Sequence, residues 1–183
     1  MKVLLLSANT EQINMPVLPL GRACIAAATE SVGHEVRFLN LMARNNCLST
    51  LENTVEGFQP EVIGTSVRNI DDQYMQSPKF LLDPVREMVS RCRKISRAPI
   101  ILGGAGFSIF PQNTLSYLGA DMGICGEREK AFVTLLERIS PRTDFADVAG
   151  LVLPGVVSTA RRIKRLDELP FPNGIALLSE KFQ

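Results

Sequence analysis

Short, continuous runs of apolar residues alternate along this chain with longer segments in which apolar residues recur at helical spacing. The predicted strands cover residues 2–6, 35–39, 62–67, 100–102 and 122–125, and the predicted helices cover 20–32, 48–58, 78–95, 111–118 and 127–139. Strands that are apolar on both sides are expected where helices cover both faces of a sheet. Right-handed crossovers between such strands produce a doubly wound parallel sheet. We therefore predict an α/β, Rossmann-like fold with five parallel strands in the flavodoxin-like order 2-1-3-4-5.

The chain changes character after Pro141. Residues 150–153 and 156–159 favour a β-hairpin around Pro154 and Gly155. The prolines within 169–174 make that stretch extended, as in a linker. We predict an α/β domain at residues 1–140, followed by a hairpin and linker at 141–183. Because no closing element follows the linker, we expect the chain to be a piece of a longer protein.

Charge and apolar run length argue against several classes of partner. The sequence has 20 basic and 19 acidic residues, with a net charge of +1, so no strong field attracts nucleic acid or a membrane surface. The apolar run at the N-terminus is too short for a signal sequence, and no stretch reaches membrane-spanning length. We expect a cytoplasmic protein with no nucleic-acid partner and no membrane span. The four cysteines form no C-x-x-C pair, so the sequence does not support a zinc or redox motif.

The candidate site lies in the loops that follow strands 1, 3, 4 and 5, because ligands of such sheets bind outside the carboxyl ends of the strands. The loops at 7–19 and 66–77 exceed the usual two to six residues. Glycines at 103–106 either let a ligand approach the backbone or serve a tight turn with positive φ. Glu127 is predicted in the first turn of a helix, where it either caps the helix or contacts a ligand. The candidate binding residues are Asn9, Thr10, Ser66, Arg68, Asn69, Asp71, Gly103, Gly104, Gly106, Gly126 and Glu127.

Catalytic chemistry has little support within this chain. His34 is the single histidine, and it precedes strand 2 at the edge opposite the four loops. A catalytic triad or a histidine-based metal site is therefore nearly excluded. Neither G-x-x-x-x-G-K-[ST] nor G-x-G-x-x-G after strand 1 is present, so nucleoside triphosphates and NAD lack support. We expect the chain to hold a ligand without transforming it.

Two alternatives share the same fold class. A flavodoxin-like protein that binds FMN or another small ligand is suggested by the hydroxyls at 7–10, but that loop lacks a glycine beside them and a Trp or Tyr to sandwich a flavin. A response-regulator domain needs acidic residues after strand 1 and a phosphoacceptor Asp at strand 3. Strand 3 ends in Thr65-Ser66-Val67 instead, which disfavours that interpretation.

The combined loop motifs resemble the cobalamin-binding domain of cobalamin-dependent radical S-adenosylmethionine proteins. The resemblance rests on residues 16–21, 33–36, 64–72, 99–111, 117–121 and 126–129, and residues 169–172 are similar to the family's linker into its radical-SAM barrel. It implies that the corrin ring lies over the carboxyl edge of the sheet and that the nucleotide tail runs beside Gly103, Gly104 and Gly106. It also implies that Asn9, Thr10, Ser66 and residues 68–72 flank the ring or tail, and that Gly126 and Glu127 close the far side.

The resemblance further implies that cobalamin is the cofactor here and that a radical-SAM domain follows in cis. The 4Fe-4S cluster and S-adenosylmethionine would belong to that domain, because the motif C-x-x-x-C-x-x-C is missing from this chain. The usual reaction of such proteins is methyl transfer or a rearrangement. The motif D-x-H-x-x-G, whose histidine ligates cobalt in many cobalamin proteins, is absent after strand 1. No histidine of this chain is therefore expected to supply the lower ligand.

Overall fold

The structure, a computed structural model, describes residues 1–8, 19–41, 46–72, 74–141 and 143–172. Seven strands within these ranges form one sheet in the order β2-β1-β3-β4-β5-β6-β7. β1 to β5 run parallel, and β6 and β7 add an antiparallel hairpin beside β5. The predicted strand order 2-1-3-4-5 and the hairpin are both confirmed. The strands are β1 (Lys2–Ser7), β2 (Glu35–Asn40), β3 (Val62–Ser66), β4 (Ile100–Gly103), β5 (Met122–Ile124), β6 (Leu151–Leu153) and β7 (Val156–Val157).

Helices cover both faces of the sheet, as the apolar strands require. Helices α1 and α6 pack on one face, and α2, α3 and α5 pack on the other. No described helix combines the length and the apolar character that crossing a bilayer demands. The helices are α1 (Leu20–Ser31), α2 (Cys47–Phe58), α3 (Leu82–Ile95), α4 (Ala105–Ile109), α5 (Pro111–Leu118) and α6 (Glu129–Ile139), and a 3-10 turn follows at Leu166–Glu168.

The alternation of side chains along β1 divides the core into two clusters. Leu4 and Leu6 pack beneath α2 and α3, whereas Val3 and Leu5 pack beneath α1 and α6. All four side chains are at most 3% exposed. Because successive side chains of a strand point to opposite faces, a central strand covered on both sides must be apolar at every position. Helices therefore cover both faces of the sheet, and a ligand would reach it at its edges.

Helix α3 begins at Leu82, four positions after the residue 78 at which the sequence pattern starts it. Phe80, two positions before the helix, forms an isolated bridge with Asp71. Oδ1 of Asp72 accepts hydrogen bonds from the backbone N–H groups of Tyr74 and Lys79, at 3.1 and 2.9 Å. Together with the hydrogen bond from the N–H of Leu81 to the carbonyl oxygen of Ile70 at 2.8 Å, these bonds hold residues 79–81 against the loop after β3. The predicted helix start was wrong for this reason.

The hairpin β6–β7 is anchored to α5 by one side chain. Nε2 of Gln112 donates to the carbonyl oxygens of Leu153 and Val156, at 2.7 and 2.9 Å. Oε1 of Gln112 accepts a hydrogen bond from the N–H of Gly155 at 3.2 Å. The turn is thus bonded by both ends of a single amide, which links the C-terminal hairpin to the parallel part of the sheet.

Candidate functional site

The carboxyl ends of the three central strands meet in register. Ser7 of β1 pairs with Ser66 of β3, and Ser66 pairs with Gly103 of β4. The N–H of Val67 donates to the carbonyl oxygen of Gly103 at 2.6 Å, which holds the start of the next loop against the same edge. The loops after β1, β3 and β4 therefore begin side by side, as the sequence analysis expects.

A cavity of about 270 Å³ lies between this edge and helices α1 and α6, and we call it the edge chamber. Its apolar part comes from the face of the sheet that α1 and α6 cover. Polar groups and glycines line it where the strands end. The apolar lining residues are Leu5, Ile25, Ile101, Ile124 and Phe132; those at the strand ends are Ser7, Ser66, Arg68, Gly103 and Gly104.

Two glycines keep the edge chamber open. A Cβ atom at Gly64 would lie 2.8 Å from Cδ2 of Leu5 and 3.4 Å from Cζ of Phe132. A Cβ atom at Gly103 would lie 2.9 Å from Cδ of Arg128. Side chains at these positions would occupy the space between sheet and helices. Gly64 was not among the candidate residues, although a glycine inside a strand signals a close approach of other groups.

Gly104 and Gly106 pack the backbone of one loop against another. Gly104 has φ +113°, and a Cβ atom there would lie 2.0 Å from the carbonyl oxygen of Val67. The N–H of Gly106 donates to the carbonyl oxygens of Val67 and Arg68, at 3.1 and 2.9 Å. The glycine run is therefore a tight turn that leads at once into helix α4, where a loop was expected. Gly104 also lines the edge chamber, so the tight turn is observed and the approach of a ligand to its backbone stays a prediction.

The remaining candidate residues lie around the edge at different distances from the chamber. Ser66 and Arg68 line it, whereas Asn69 and Asp71 lie exposed farther along the same loop. Asn9 and Thr10 lie outside the described residues.

The loop after β5 differs from its expected form. Helix α6 begins at Glu129, so Glu127 precedes the helix and does not lie in its first turn. The carboxylate of Glu127 instead accepts a hydrogen bond from the N–H of Ile163. Gly126 adopts φ +80°, and its N–H donates to Oγ of Ser108 at 3.4 Å. Gly126 and Glu127 therefore connect this loop to α4 and to the C-terminal segment.

Two arginines at the edge chamber were missed by the sequence analysis. Arg22 of α1 is only 6% exposed, and its Nη1 has no hydrogen-bond partner in the part of the chain that the structure describes. Burial and then the charge of Arg128 lower the pKa of the Arg22 guanidinium to about 9. Burial also lowers the pKa of Arg128, while Glu129 and Cys125 act to raise it. A signal existed, since Arg22 is the one charged residue between positions 19 and 29.

The single histidine lies at the opposite edge, as expected. His34 precedes β2, and its Nδ1 lies 3.1 Å from the N-terminal nitrogen of Met1. Burial and then the N-terminal charge lower the pKa of the His34 imidazole. This imidazole is remote from the edge chamber, so it contributes nothing to ligand binding there.

Comparison with known families and proteins identifies proteins that are similar to this chain. The sequence model of the family described as B12 binding domain matches residues 6–136. Tryptophan 2-C-methyltransferase of Streptomyces laurentii is 27% identical over 156 residues, which cover 82% of this chain and 26% of that enzyme.

Solved structures show the same fold. The radical S-adenosylmethionine methyltransferase TsrM of Kitasatospora setae, solved with cobalamin and a 4Fe-4S cluster bound, superposes with a TM-score of 0.78 at 30% identity, over 83% of this chain and 28% of that protein. The cobalamin-dependent S-adenosylmethionine radical enzyme OxsB, with aqua-cobalamin bound, shares the fold with a TM-score of 0.73 at 16% identity, over 98% of this chain and 25% of that protein. The chain thus spans only about a quarter of the length of these relatives.

Proposed function

Because this chain belongs to the B12-binding domain family, we propose that it holds cobalamin at the carboxyl edge of its sheet, with the nucleotide tail of the cofactor in the edge chamber. The observation that carries this proposal is the chamber itself, which Gly64 and Gly103 leave open beneath α1 and α6. It lies at the edge where ligands of doubly wound sheets bind.

The chamber suits the tail in size and in character. The tail of cobalamin ends in dimethylbenzimidazole, an aromatic base of two fused rings. An apolar protein cavity of about 150 Å³ binds benzene, so the 270 Å³ here leaves room for the larger base. Leu5, Ile101 and Phe132 supply an apolar lining for it. Pockets of this kind bind mostly through apolar walls, with a few polar groups that fix orientation.

The candidate residues then divide into groups with separate roles. Those that line the chamber, namely Ser66, Arg68, Gly103 and Gly104, would contact the tail. Gly106 would support the tail indirectly, because it packs on the backbone of Arg68. The corrin ring is too large for the chamber and would lie over the edge. The residues that would flank or border the ring are Asn9, Thr10, Asn69, Asp71, Gly126 and Glu127.

Cobalt would receive no histidine ligand from this chain. His34 is remote from the carboxyl edge, and the sequence holds no other histidine. Binding must therefore come from the corrin surface and from the tail. The edge chamber and the loops around it would therefore supply the free energy of binding.

We further propose that the chain is the cobalamin-binding part of a longer cytoplasmic protein with a radical-SAM domain in cis. The support is the similarity to TsrM together with the short span of that protein that this chain covers. Cobalamin would carry a methyl group in such a protein. The 4Fe-4S cluster and S-adenosylmethionine would belong to the downstream domain. The described residues after 140 fit a connection toward it, because Phe171 is 93% exposed within the proline-rich segment.

A titration tests the proposal directly. Hydroxocobalamin is added to the purified 183-residue chain while the visible spectrum of the cofactor and the unfolding temperature are recorded. We expect saturable spectral changes and a raised unfolding temperature, because a ligand that binds only the native state stabilises it. FMN, which the flavodoxin-like alternative requires, should produce neither change. Folded protein that leaves the cobalamin spectrum unchanged would contradict the proposal.

A further inference from the structure

Arg22 is a buried cation without a described counter-ion. Its side chain lines the edge chamber from α1, it is 6% exposed, and its Nη1 has no hydrogen-bond partner among the described residues. Burying an unpaired charge is costly, so buried guanidiniums are normally paired or fully hydrogen-bonded. Even with its pKa lowered to about 9, this guanidinium is charged at neutral pH. Within the described ranges, its surroundings therefore lack an anion.

Arg128 brings a second cation to the same place. Its side chain lies across the end of β4, where a Cβ atom at Gly103 would meet its Cδ at 2.9 Å and its Nη1 at 3.2 Å. The charge of Arg128 contributes to the lowered pKa of Arg22, so the two guanidiniums repel each other. Glu129 acts electrostatically on Arg128, and its carboxylate accepts a hydrogen bond from the backbone N–H of Arg128 at 3.1 Å. The chamber thus has two adjacent cations at the edge of an apolar cavity.

We propose that Arg22 and Arg128 together bind the phosphodiester of the cobalamin nucleotide tail. This inference rests on the proposed function and names the group that these side chains recognise. The tail contains one anionic group, the phosphodiester, whereas its base and the amide side chains of the corrin are neutral. Guanidinium groups pair with phosphate through two parallel hydrogen bonds, which are stronger than bonds between neutral partners.

The chamber is polar and charged in one part and apolar in another, as the tail is charged at its phosphodiester and apolar at its base. Ser7, Ser66 and Gly103 stand at the strand ends, and the side chain of Arg128 lies over Gly103. Leu5 and Ile101 form the apolar part of the same cavity. In the tail, the phosphodiester precedes the ribose, and the apolar base comes last. A phosphodiester held beside the arginines would leave the base next to the apolar lining. A single position of the tail therefore gives both the phosphodiester and the base a suitable environment.

The test compares three ligands that differ in the tail. Cobinamide lacks the phosphate, ribose and base; cobinamide phosphate carries the phosphate alone; and hydroxocobalamin carries the whole tail. Dissociation constants are measured from visible spectra for the wild-type chain and for Arg22→Met, Arg128→Met and Arg91→Met. Arg91 is the matched control, because it lies on α3, across the sheet from α1 and α6, and pairs with Glu52 at 3.0 Å.

We expect the wild-type chain to prefer cobinamide phosphate over cobinamide. Arg22→Met and Arg128→Met should each weaken binding of both phosphate-bearing ligands by about tenfold to hundredfold, the range for hydrogen bonds to a charged group. Cobinamide affinity should change by less than about twofold, because that ligand has no anion for the arginines to bind. Arg91→Met should behave as wild type with all three ligands.

The unfolding temperature of the ligand-free protein separates recognition from support of the fold. Removing an uncompensated buried charge should leave that temperature unchanged or higher in Arg22→Met, whereas an arginine needed only for packing would lower it and weaken all three ligands alike. If Arg22→Met does not fold, Arg128→Met and the charge-preserving Arg22→Lys carry the comparison.

Preference for the phosphate that survives in both methionine variants would overturn the inference and leave the proposed function intact. Equal weakening of all three ligands would overturn it as well. A folded wild-type chain that does not bind cobalamin would overturn both proposals.

Discussion

Replacing Gly104 by alanine tests whether the turn after β4 depends on the close approach of two loops. Gly104 has φ +113° and ψ 164°, a region that residues with a Cβ atom rarely adopt. Forcing alanine into such a conformation costs on the order of 1–3 kcal/mol. The new Cβ would also lie 2.0 Å from the carbonyl oxygen of Val67 and 2.6 Å from its carbonyl carbon. Because both neighbours are backbone atoms, no side-chain rotation relieves the clash.

The clash therefore separates β3 and β4 where they end. Two hydrogen bonds are exposed to this movement: Val67 N–H to the Gly103 carbonyl at 2.6 Å, and Gly106 N–H to the Val67 carbonyl at 3.1 Å. Each contributes about 1 kcal/mol net. Together with the strain, the expected loss in the free energy of unfolding for Gly104→Ala is about 3–5 kcal/mol. Domains of this size have about 5–15 kcal/mol available, so the variant should fold but be visibly weakened.

Gly119→Ala is the matched control, since Gly119 also has a positive φ, +67°, but nothing lies within 4 Å of a Cβ atom there. Only the left-handed strain applies, offset in part by the lower entropy of the unfolded chain, so its cost should be about 1 kcal/mol. Urea unfolding followed by circular dichroism measures both variants. If Gly104→Ala is no less stable than Gly119→Ala, the close packing of the two loops is not what requires glycine.

Three further changes have distinct expected outcomes. Gly64→Val, which fills the edge chamber, should weaken hydroxocobalamin binding at least about tenfold in a spectral titration, whereas Gly57→Val, at a position with nothing within 4 Å, should not. Gln112→Ala should lower the free energy of unfolding by about 1–3 kcal/mol and speed amide exchange in the hairpin. The exposed Asn113→Ala should do neither. Burial raises the pKa of the Cys92 thiol to about 11. Iodoacetamide at pH 8 should therefore alkylate Cys92 only after unfolding, which mass spectrometry of its peptide would measure. Modification of Cys92 in the folded chain would contradict its burial.

The parallel character of the sheet could be derived from sequence because its inner strands β1, β3 and β4 are buried on both faces. Residues such as Leu4 and Leu5 are apolar whichever way they point, and this distinguishes a parallel sheet from an antiparallel one with a wet face. Element ends were harder to derive where side chains compete for backbone groups. Oδ1 of Asp72 accepts a hydrogen bond from the N–H of Lys79 and holds that residue in the loop before α3. Such a bond joins residues seven positions apart, so no local periodicity reports it.

The sequence predicts a candidate site at the carboxyl edge of the sheet, where the structure has the edge chamber, but it does not predict the chamber itself. Strand ends follow from the pattern of apolar runs, and the pairing of Ser7, Ser66 and Gly103 follows from the strand order. The chamber behind them depends on the absence of side chains at Gly64 and Gly103. Gly64 leaves a space only because Phe132 of α6 lies opposite, and that contact joins residues 68 positions apart. Arg22 and Arg128 were missed for a related reason, since a helix arginine in a sequence usually extends into solvent.

The absence of a histidine near the edge chamber bears on how the cofactor can be held at all. A protein imidazole bound to cobalt would anchor the corrin by one strong bond, and His34 cannot reach that position from the opposite edge. The remaining attachment points are the corrin surface and the tail. Under the proposed function the two lie in different places, because the tail would enter the edge chamber while the ring would lie over the edge of the sheet. Affinity that depends on the tail should therefore fall steeply for cobinamide. A cofactor held in this way would receive no imidazole from this chain.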